Sequence, residues 1–230
     1  MIEFRDVTKV FGCGPAAVRA VDNLSFTCPR GAFWALMGPS GSGKSTVLHL
    51  IAGLTQPTSG HVLVDGADTA NMTEPEVSAM RRRRIGYVLQ SFSLLPFMTA
   101  EDNVAMPLVL DGLDQRIVDV RVREALDMVN MAHRAGQRPT RLSGGEQQRI
   151  AIARALVIQP AIILADEPTG NLDRTSGRAV MDLLHDINDK TQVTVLLVTH
   201  DPVFASYTEH VLHLVDGALQ EEICPPEDPG

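Results

Sequence analysis

Short apolar runs punctuate the chain, each closed by glycine, aspartate or proline. FWALM (33–37) runs into a glycine-rich loop, and an apolar helix follows through VLHLIAGL (47–54). GHVLVDG (60–66) reads as a strand ending in an Asp-Gly turn. IGYVL (85–89) reads as a compact buried strand. AIILAD (161–166) and VTVLLV (193–198) are continuous apolar runs, as expected of parallel strands covered on both faces. VLHLVDGALQEE (211–222) predicts a hairpin about Asp216-Gly217. Between these, Val118, Val122, Ala125, Leu126 and Val129 recur at helical spacing, and so do Val180, Leu183, Leu184 and Ile187. From about 92 to 157 no strand pattern occurs, so a helical insertion in an α/β domain is expected.

The loop after the first of these strands reads Gly38-Pro-Ser40-Gly41-Ser-Gly43-Lys44-Ser45-Thr46. This is G-x-x-x-x-G-K-S between a strand and a helix, the context that makes it a phosphate loop. Glycines let successive backbone N–H groups converge on phosphate oxygens, and the following helix adds its positive end. Lys44 brings a point charge to the β- and γ-phosphates, and the Ser45 hydroxyl can reach Mg2+. Such a loop needs a carboxylate for the metal. LADE (164–167) ends an apolar strand with two acids: Asp166 is the candidate for Mg2+, and Glu167, one residue on, for the general base.

A second candidate anion site follows a loop at Leu142-Ser143-Gly144-Gly145-Glu146. Ser143 with Glu146 three residues later predicts a capping box. Two successive glycines exceed what a cap needs, which points to close approach of another group, and an anion suits a helix N-terminus. One chain is poorly placed to bring both sites to one nucleotide. A second copy, facing head to tail, does so twice by symmetry.

GPSGSGKST, LSGGEQQR, ILADEP and the later Thr199-His200-Asp201 together resemble the ATP-binding cassette (ABC) ATPase family over about residues 1–222. The resemblance implies an α/β fold: a RecA-like P-loop NTPase core with an N-terminal antiparallel β subdomain and an inserted helical subdomain. A single domain is expected, its core at about 1–90 and 158–222, its helical subdomain at about 91–157, and a Pro-rich acidic tail at 223–230. The resemblance makes Gln90 the glutamine that touches Mg2+ and the attacking water, and His200 the switch histidine at the γ-phosphate. It places Asp173, in Asn171-Leu172-Asp173, in a loop that crosses the dimer interface. Phe11 stands where the family stacks an aromatic on adenine; the alternative is a core Phe beside Phe4. ATP and Mg2+ are the implied ligands. Gly38, Ser40, Gly41, Gly43, Lys44, Ser45, Thr46 and Phe11 would bind nucleotide in one chain, and Ser143, Gly144, Gly145 and Asp173 across the dimer. Ser45, Gln90 and Asp166 would hold the metal.

The family also passes its work to a membrane permease, whose coupling helix enters a groove beside Gln90. Residues 91–112 would line it, with Phe92, Leu94, Leu95, Phe97, Met98 and Met106 mostly packed and a minority exposed. LLPFMTAEDNV and EPTGNLD resemble the subfamily serving lipoprotein release, macrolide export and related MacB-like complexes; Asp102 departs slightly from its pattern. A regulatory cassette of the FtsE type is the alternative. Arg81 to Arg84 read as a solvated face.

Composition narrows the partners. Lys plus Arg number 20 against 28 Asp plus Glu, a formal net charge of −8, which argues against nucleic acid. Chromosome ATPases carry long heptad insertions and translation-factor ATPases two cassettes, and this chain has neither pattern. No run reaches the ~18 apolar residues of a membrane span, and the charged N-terminus has no signal-peptide core. The three cysteines, Cys13, Cys28 and Cys224, lack C-x-x-C spacing and fit a reducing compartment. His210 and His213 have no acidic or cysteine partners at ligand spacing, so no metal site is expected there. The expected location is the cytoplasmic face of a membrane, held through the permease. The mean hydropathy of +0.03 is expected to reflect exposed apolar residues in 91–112.

Overall fold

The computed structural model describes residues 1–223. The predicted tail from Cys224 onward lies outside the described residues. In chain order the elements are β1 (Ile2–Phe11), β2 (Val18–Cys28), β3 (Phe33–Met37), α1 (Lys44–Ile51), β4 (Ser59–Val64), β5 (Ala67–Asp68), α2 (Glu74–Arg84) and β6 (Ile85–Leu89). There follow α3 (Ala100–Leu110), α4 (Gln115–Met128), α5 (Gly144–Leu156), β7 (Ile162–Asp166), α6 (Arg174–Thr191), β8 (Thr194–Val198), α7 (Pro202–Ala205), β9 (His210–Val215) and β10 (Ala218–Ile223). The described chain divides into two compact units: Met1–Arg81 with the chain from Thr194 onward, and Arg82–Val193.

The first unit holds an antiparallel sheet in the order β2-β1-β4-β5 and strands in the order β10-β9-β3-β8. Phe4 stacks on Phe26 across the β1–β2 pair, centroids 4.7 Å apart. The register of β1 on β2 shifts between Phe4 and Val7 and again on either side of Lys9, and Asp6 and Asn23 take positive φ there. Such bulges bend a strand and break its alternation, so the β1 pattern is not cleanly two-fold. β3 runs parallel to both β8 and β9, with Trp34 paired to His210 and Leu36 to Val198. Phe33, Ala35 and Leu36 are almost fully buried, as are Val195 to Val198. Apart from Ala35, each of these side chains contributes about 1.5–3 kcal/mol by leaving water. The β9–β10 hairpin turns at Asp216 (φ 49°) and Gly217 (φ 81°), the two-residue turn that its Asp-Gly sequence predicts.

The second unit pairs β6 with β7 in parallel, Leu89 opposite Asp166. Its helices lie where the sequence has no strand pattern. Val118, Val122, Ala125 and Leu126 of α4 are buried, as their spacing predicts. In α6, Val180, Leu184 and Ile187 are buried while Leu183 is only half-buried, and Met181 joins the inner face. α3 starts at a Thr99–Asp102 capping box, which gives Asp102 a structural use at its N3 position. Asn103 is fully buried and bonds Leu95 in both directions, its Oδ1 accepting from Leu95 N at 2.7 Å and its Nδ2 donating to Leu95 O at 3.1 Å.

The arginine run is more than a solvated face. Arg82 Nε and Arg83 Nε both bond the Asp111 carboxylate, at 3.3 and 3.0 Å, which fastens the end of α2 to the end of α3. Arg81 donates to Gly53 O and pairs with Glu74. Among the described residues no helix is long and apolar enough to cross a membrane.

Candidate functional site

The phosphate loop closes the gap between β3 and α1, all within the first unit. Gly43 is the N-cap of α1 with φ 104°. Lys44 opens the helix, its side chain turned back so that Nζ donates to Gly38 O at 2.8 Å and Pro39 O at 2.7 Å. The cation is thereby fixed at the centre of the loop in a residue only 8% exposed. Ser40, Gly41 and Ser45 are exposed and Thr46 is half-buried.

Two glycines are required by the fold as well as by phosphate chemistry. A Cβ on Gly38 would lie 2.0 Å from Leu214 O, and one on Gly43 would lie 2.1 Å from Ala20 O. The loop is wedged between β9 and the start of β2. The hairpin turn braces it further: Gly217 N donates to Ser42 O at 3.0 Å, and Asp22 N donates to Gly217 O at 2.8 Å.

A cavity of about 390 Å³ opens on this loop, lined by Gly41, Gly43, Lys44, Ser45 and Thr46 together with Val18, Arg19, Ala20 and Asp216. Val18, Arg19 and Ala20 carry no motif and Asp216 belongs to the predicted hairpin turn; strand pairing brings all four here. Phe11 is not among the lining residues. It is 44% exposed and pairs across the strands with Val18. Lys9 Nζ lies 4.8 Å from its ring centroid, on a face suited to a cation. Exposure rules out the core alternative, since Phe4 has Phe26 as its partner. His200 is exposed just beyond β8, after the buried Thr199, whose N–H donates to Leu36 O.

The second unit carries the acids. Asp166 ends β7 and is half-buried. Glu167 takes φ 48°, a left-handed backbone uncommon for a residue other than glycine. Strain of that kind costs about 1–3 kcal/mol and concentrates where a side chain must be aimed. Gln90 is exposed at the end of β6; its backbone carbonyl accepts from Asn171 Nδ2 at 2.9 Å, and its side chain covers Gly170. The next turn is also strained, with Phe92 and Ser93 at φ 57° and 50°. Arg154 of α5 holds it, donating to Phe92 O at 3.0 Å and Ser93 O at 2.6 Å. Burial lowers the Arg154 pKa. No motif marked this arginine.

The predicted capping box forms at α5: Ser143 Oγ accepts from Glu146 N at 3.3 Å, and Glu146 Oε2 accepts from Ser143 N at 2.8 Å. The Ser143 N–H is the main cause of a lowered Glu146 pKa; the Ser143 hydroxyl and Arg134 act in the same sense. The glycine pair has an intrachain reason as well. A Cβ on Gly144 would sit 3.2 Å from Leu172 Cδ2, and one on Gly145 would sit 3.4 Å from Ser176. So close approach alone does not require an external anion. Asp173 caps α6, accepting from Thr175 N and Ser176 N at 3.0 Å each and from Ser176 Oγ at 2.7 Å. These bonds, the Ser176 N–H foremost, hold its pKa below the ordinary range.

Tyr87 is a polar group within the buried β6. Its hydroxyl is buried without a hydrogen-bond partner, and burial, with the Asp166 charge second, raises its pKa. A tyrosine in the apolar run IGYVL was the only sequence signal for it.

A strand feeding a glycine-rich loop with an inward lysine, in a chain that also carries a strand ending in two acids, defines a P-loop nucleotide hydrolase. The family model described as "ABC transporter" matches residues 21–170. A lipoprotein-releasing system ATP-binding protein, LolD, of Bordetella avium is 46% identical over 213 residues, 93% of each chain. The ABC transporter ATP-binding protein MJ0796 of Methanocaldococcus jannaschii is 42% identical over 226 residues, 96% of each chain. A dimeric, post-hydrolysis structure of that cassette bound to ADP and Pi superposes with a TM-score of 0.89 at 39% identity, covering 99% of this chain and 100% of the other. The chain belongs to the ABC transporter family as an ATP-binding, ATP-hydrolysing cassette.

Proposed function

We propose that this cassette is one domain with a RecA-like core and a helical subdomain, and that two copies close head to tail around two ATP to drive a membrane permease. The observation that carries the reading is the loop itself, with Lys44 held inward by Gly38 O and Pro39 O. In it, Gly38, Ser40, Gly41, Gly43, Lys44, Ser45 and Thr46 bind the phosphates, and Phe11 offers its second ring face to adenine. Ser143, Gly144, Gly145 and Asp173 serve the nucleotide of the partner copy. The capping box at Ser143 leaves the start of α5 rigid, which suits a surface that must meet an anion without rearranging.

Ser45, Asp166 and Gln90 are the residues that would hold Mg2+. A hydroxyl, a carboxylate and an amide oxygen are hard donors of the kind this ion prefers. Bound there, the ion would neutralise negative charge on the phosphates. Glu167 takes the proton of the attacking water, its direction set by its left-handed backbone. His200 touches the γ-phosphate. Dimerisation is supported by the dimeric form of the similar MJ0796 cassette.

The permease meets residues 91–112, at the cytoplasmic face. Here Phe97 is 70% exposed, Val109 56% and Leu110 73%, while Phe92, Leu94, Leu95, Met98 and Met106 are half-buried. The similarity to LolD favours a MacB-like mechanotransmission or export complex over a regulatory role. Glu167→Gln tests the core of this: the variant should bind ATP, accumulate as a dimer and fail to turn over. A variant that stays monomeric at saturating ATP refutes the sandwich.

A further inference from the structure

Pairing of β6 with β7 sets Tyr87 opposite Leu164 and Leu89 opposite Asp166. Residues two apart on a strand share a face, and so do paired residues on neighbouring strands. Tyr87, Leu89, Leu164 and Asp166 therefore stand on one face, with Tyr87 the diagonal neighbour of Asp166. Diagonal neighbours lie roughly 7–8 Å apart, within reach of an aromatic side chain. On this face the phenol oxygen is buried and has no hydrogen-bond partner among the described residues. Leu89 and Leu164 have no side-chain polar atom to offer it. A buried hydroxyl left unpaired is destabilising, and native chains keep such groups where a ligand or water completes them. A phenylalanine would fill the same space without that cost. The charged neighbour that acts on Tyr87 is Asp166, the carboxylate assigned above to Mg2+, an ion that keeps several of its waters when bound to protein.

We propose that Tyr87 is a positioning residue of the Mg2+ site, its hydroxyl donating to a water ligand of the ion that Asp166 holds. This rests on the assignment of Asp166 given above. Groups one shell out from a metal typically change its affinity by about 10–100-fold. The phenol donates one hydrogen bond at the edge of the shell, so an effect near the lower figure is expected.

The test uses the full chain loaded with ADP, with Mn2+ as the probe ion and free Mn2+ read by electron paramagnetic resonance. Tyr87→Phe should weaken Mn2+ binding about tenfold. It should leave ADP affinity in EDTA unchanged and the thermal midpoint unchanged or raised. A purely structural role would lower the midpoint or shift metal-free ADP affinity as much as metal affinity, and either result overturns the proposal. So does unchanged Mn2+ affinity in Tyr87→Phe when Asp166→Asn loses the ion. If Asp166→Asn itself keeps wild-type Mn2+ affinity, the assignment of Asp166 fails and the role of Tyr87 falls with it.

Discussion

Gly43→Ala and Gly41→Ala change neighbouring residues of one loop, yet they should differ sharply in stability. At Gly41 a new Cβ meets nothing within 4 Å, so only the backbone cost at φ 82° applies. That cost is roughly 1–2 kcal/mol, offset by about 0.4–1 kcal/mol from the less flexible unfolded chain. At Gly43, φ is 104° and the Cβ would lie 2.1 Å from Ala20 O and 3.4 Å from Leu214 Cδ2. A comfortable C···O separation is roughly 3.3 Å, so backbone must move by about 1 Å. The oxygen belongs to β2, which is paired to β1 and tied through Asp22 to the hairpin turn. Overpacking of this kind adds about 1–3 kcal/mol, which with the same offset brings Gly43→Ala to roughly 1–5 kcal/mol, a sizeable part of a typical domain's ~5–15 kcal/mol. The protein has one tryptophan, and Trp34 sits on β3, 5% exposed and 4.7 Å from the His210 ring. Its fluorescence in a urea titration reports the unit that contains the loop. Equal midpoints for the two variants would refute the reasoning, because the loop would then be free of β2.

Glu146→Gln keeps the capping geometry but removes the charge. The native carboxyl has a lowered pKa, so its contribution is present above the unfolded value near 4.3 and is lost as pH falls through the folded value. The variant should therefore be modestly less stable than the wild type at neutral pH and lose stability less steeply below about pH 4.3, so that the two converge in acid, as read by denaturation midpoints across a pH series. Cys28 is fully buried, with burial pushing its pKa up to about 12, whereas Cys13 is exposed. Iodoacetamide at pH 8 should label Cys13 quickly and Cys28 only on unfolding, as seen by peptide mass mapping; fast native labelling of Cys28 would contradict its placement. Phe97→Ser, at a residue 70% exposed, should change stability by less than about 0.5 kcal/mol. It should reduce stimulation of ATP hydrolysis by the membrane partner; unaltered stimulation would move the docking surface elsewhere.

The parts legible in the sequence were those governed by local pattern. FWALM, IGYVL and AIILAD are unbroken apolar runs closed by turn residues, and each is a strand within a residue of its expected bounds. Ser143 and Glu146 sit at the one spacing that makes a reciprocal cap, and they make it. β1 and β2 were harder to see as strands because bulges at Asp6 and Asn23 interrupt their alternation. What non-local pairing decides was not legible at all. Val18, Arg19 and Ala20 reach the phosphate loop only through β2, and Arg154 reaches the turn after Gln90 only through the packing of α5. At the glycine pair the spacing suggested an outside ligand and gave no sign of the neighbours within the chain: a Cβ on Gly144 would press on Leu172, and one on Gly145 would touch Ser176.

The bracing of the phosphate loop also fixes when it can form during synthesis. β3 delivers the chain into the loop, but its two neighbours, β8 and β9, come from residues 194–198 and 210–215. The turn that bonds Ser42 and Asp22 is residue 217. On the ribosome, residues 38–46 are made early, and the chain must lengthen to residue 194 before the first of these partners begins to appear. Contacts of such long sequence separation form slowly, because the intervening chain must be closed first. A nascent cassette thus lacks the full bracing of its phosphate loop until nearly all of the described chain has emerged.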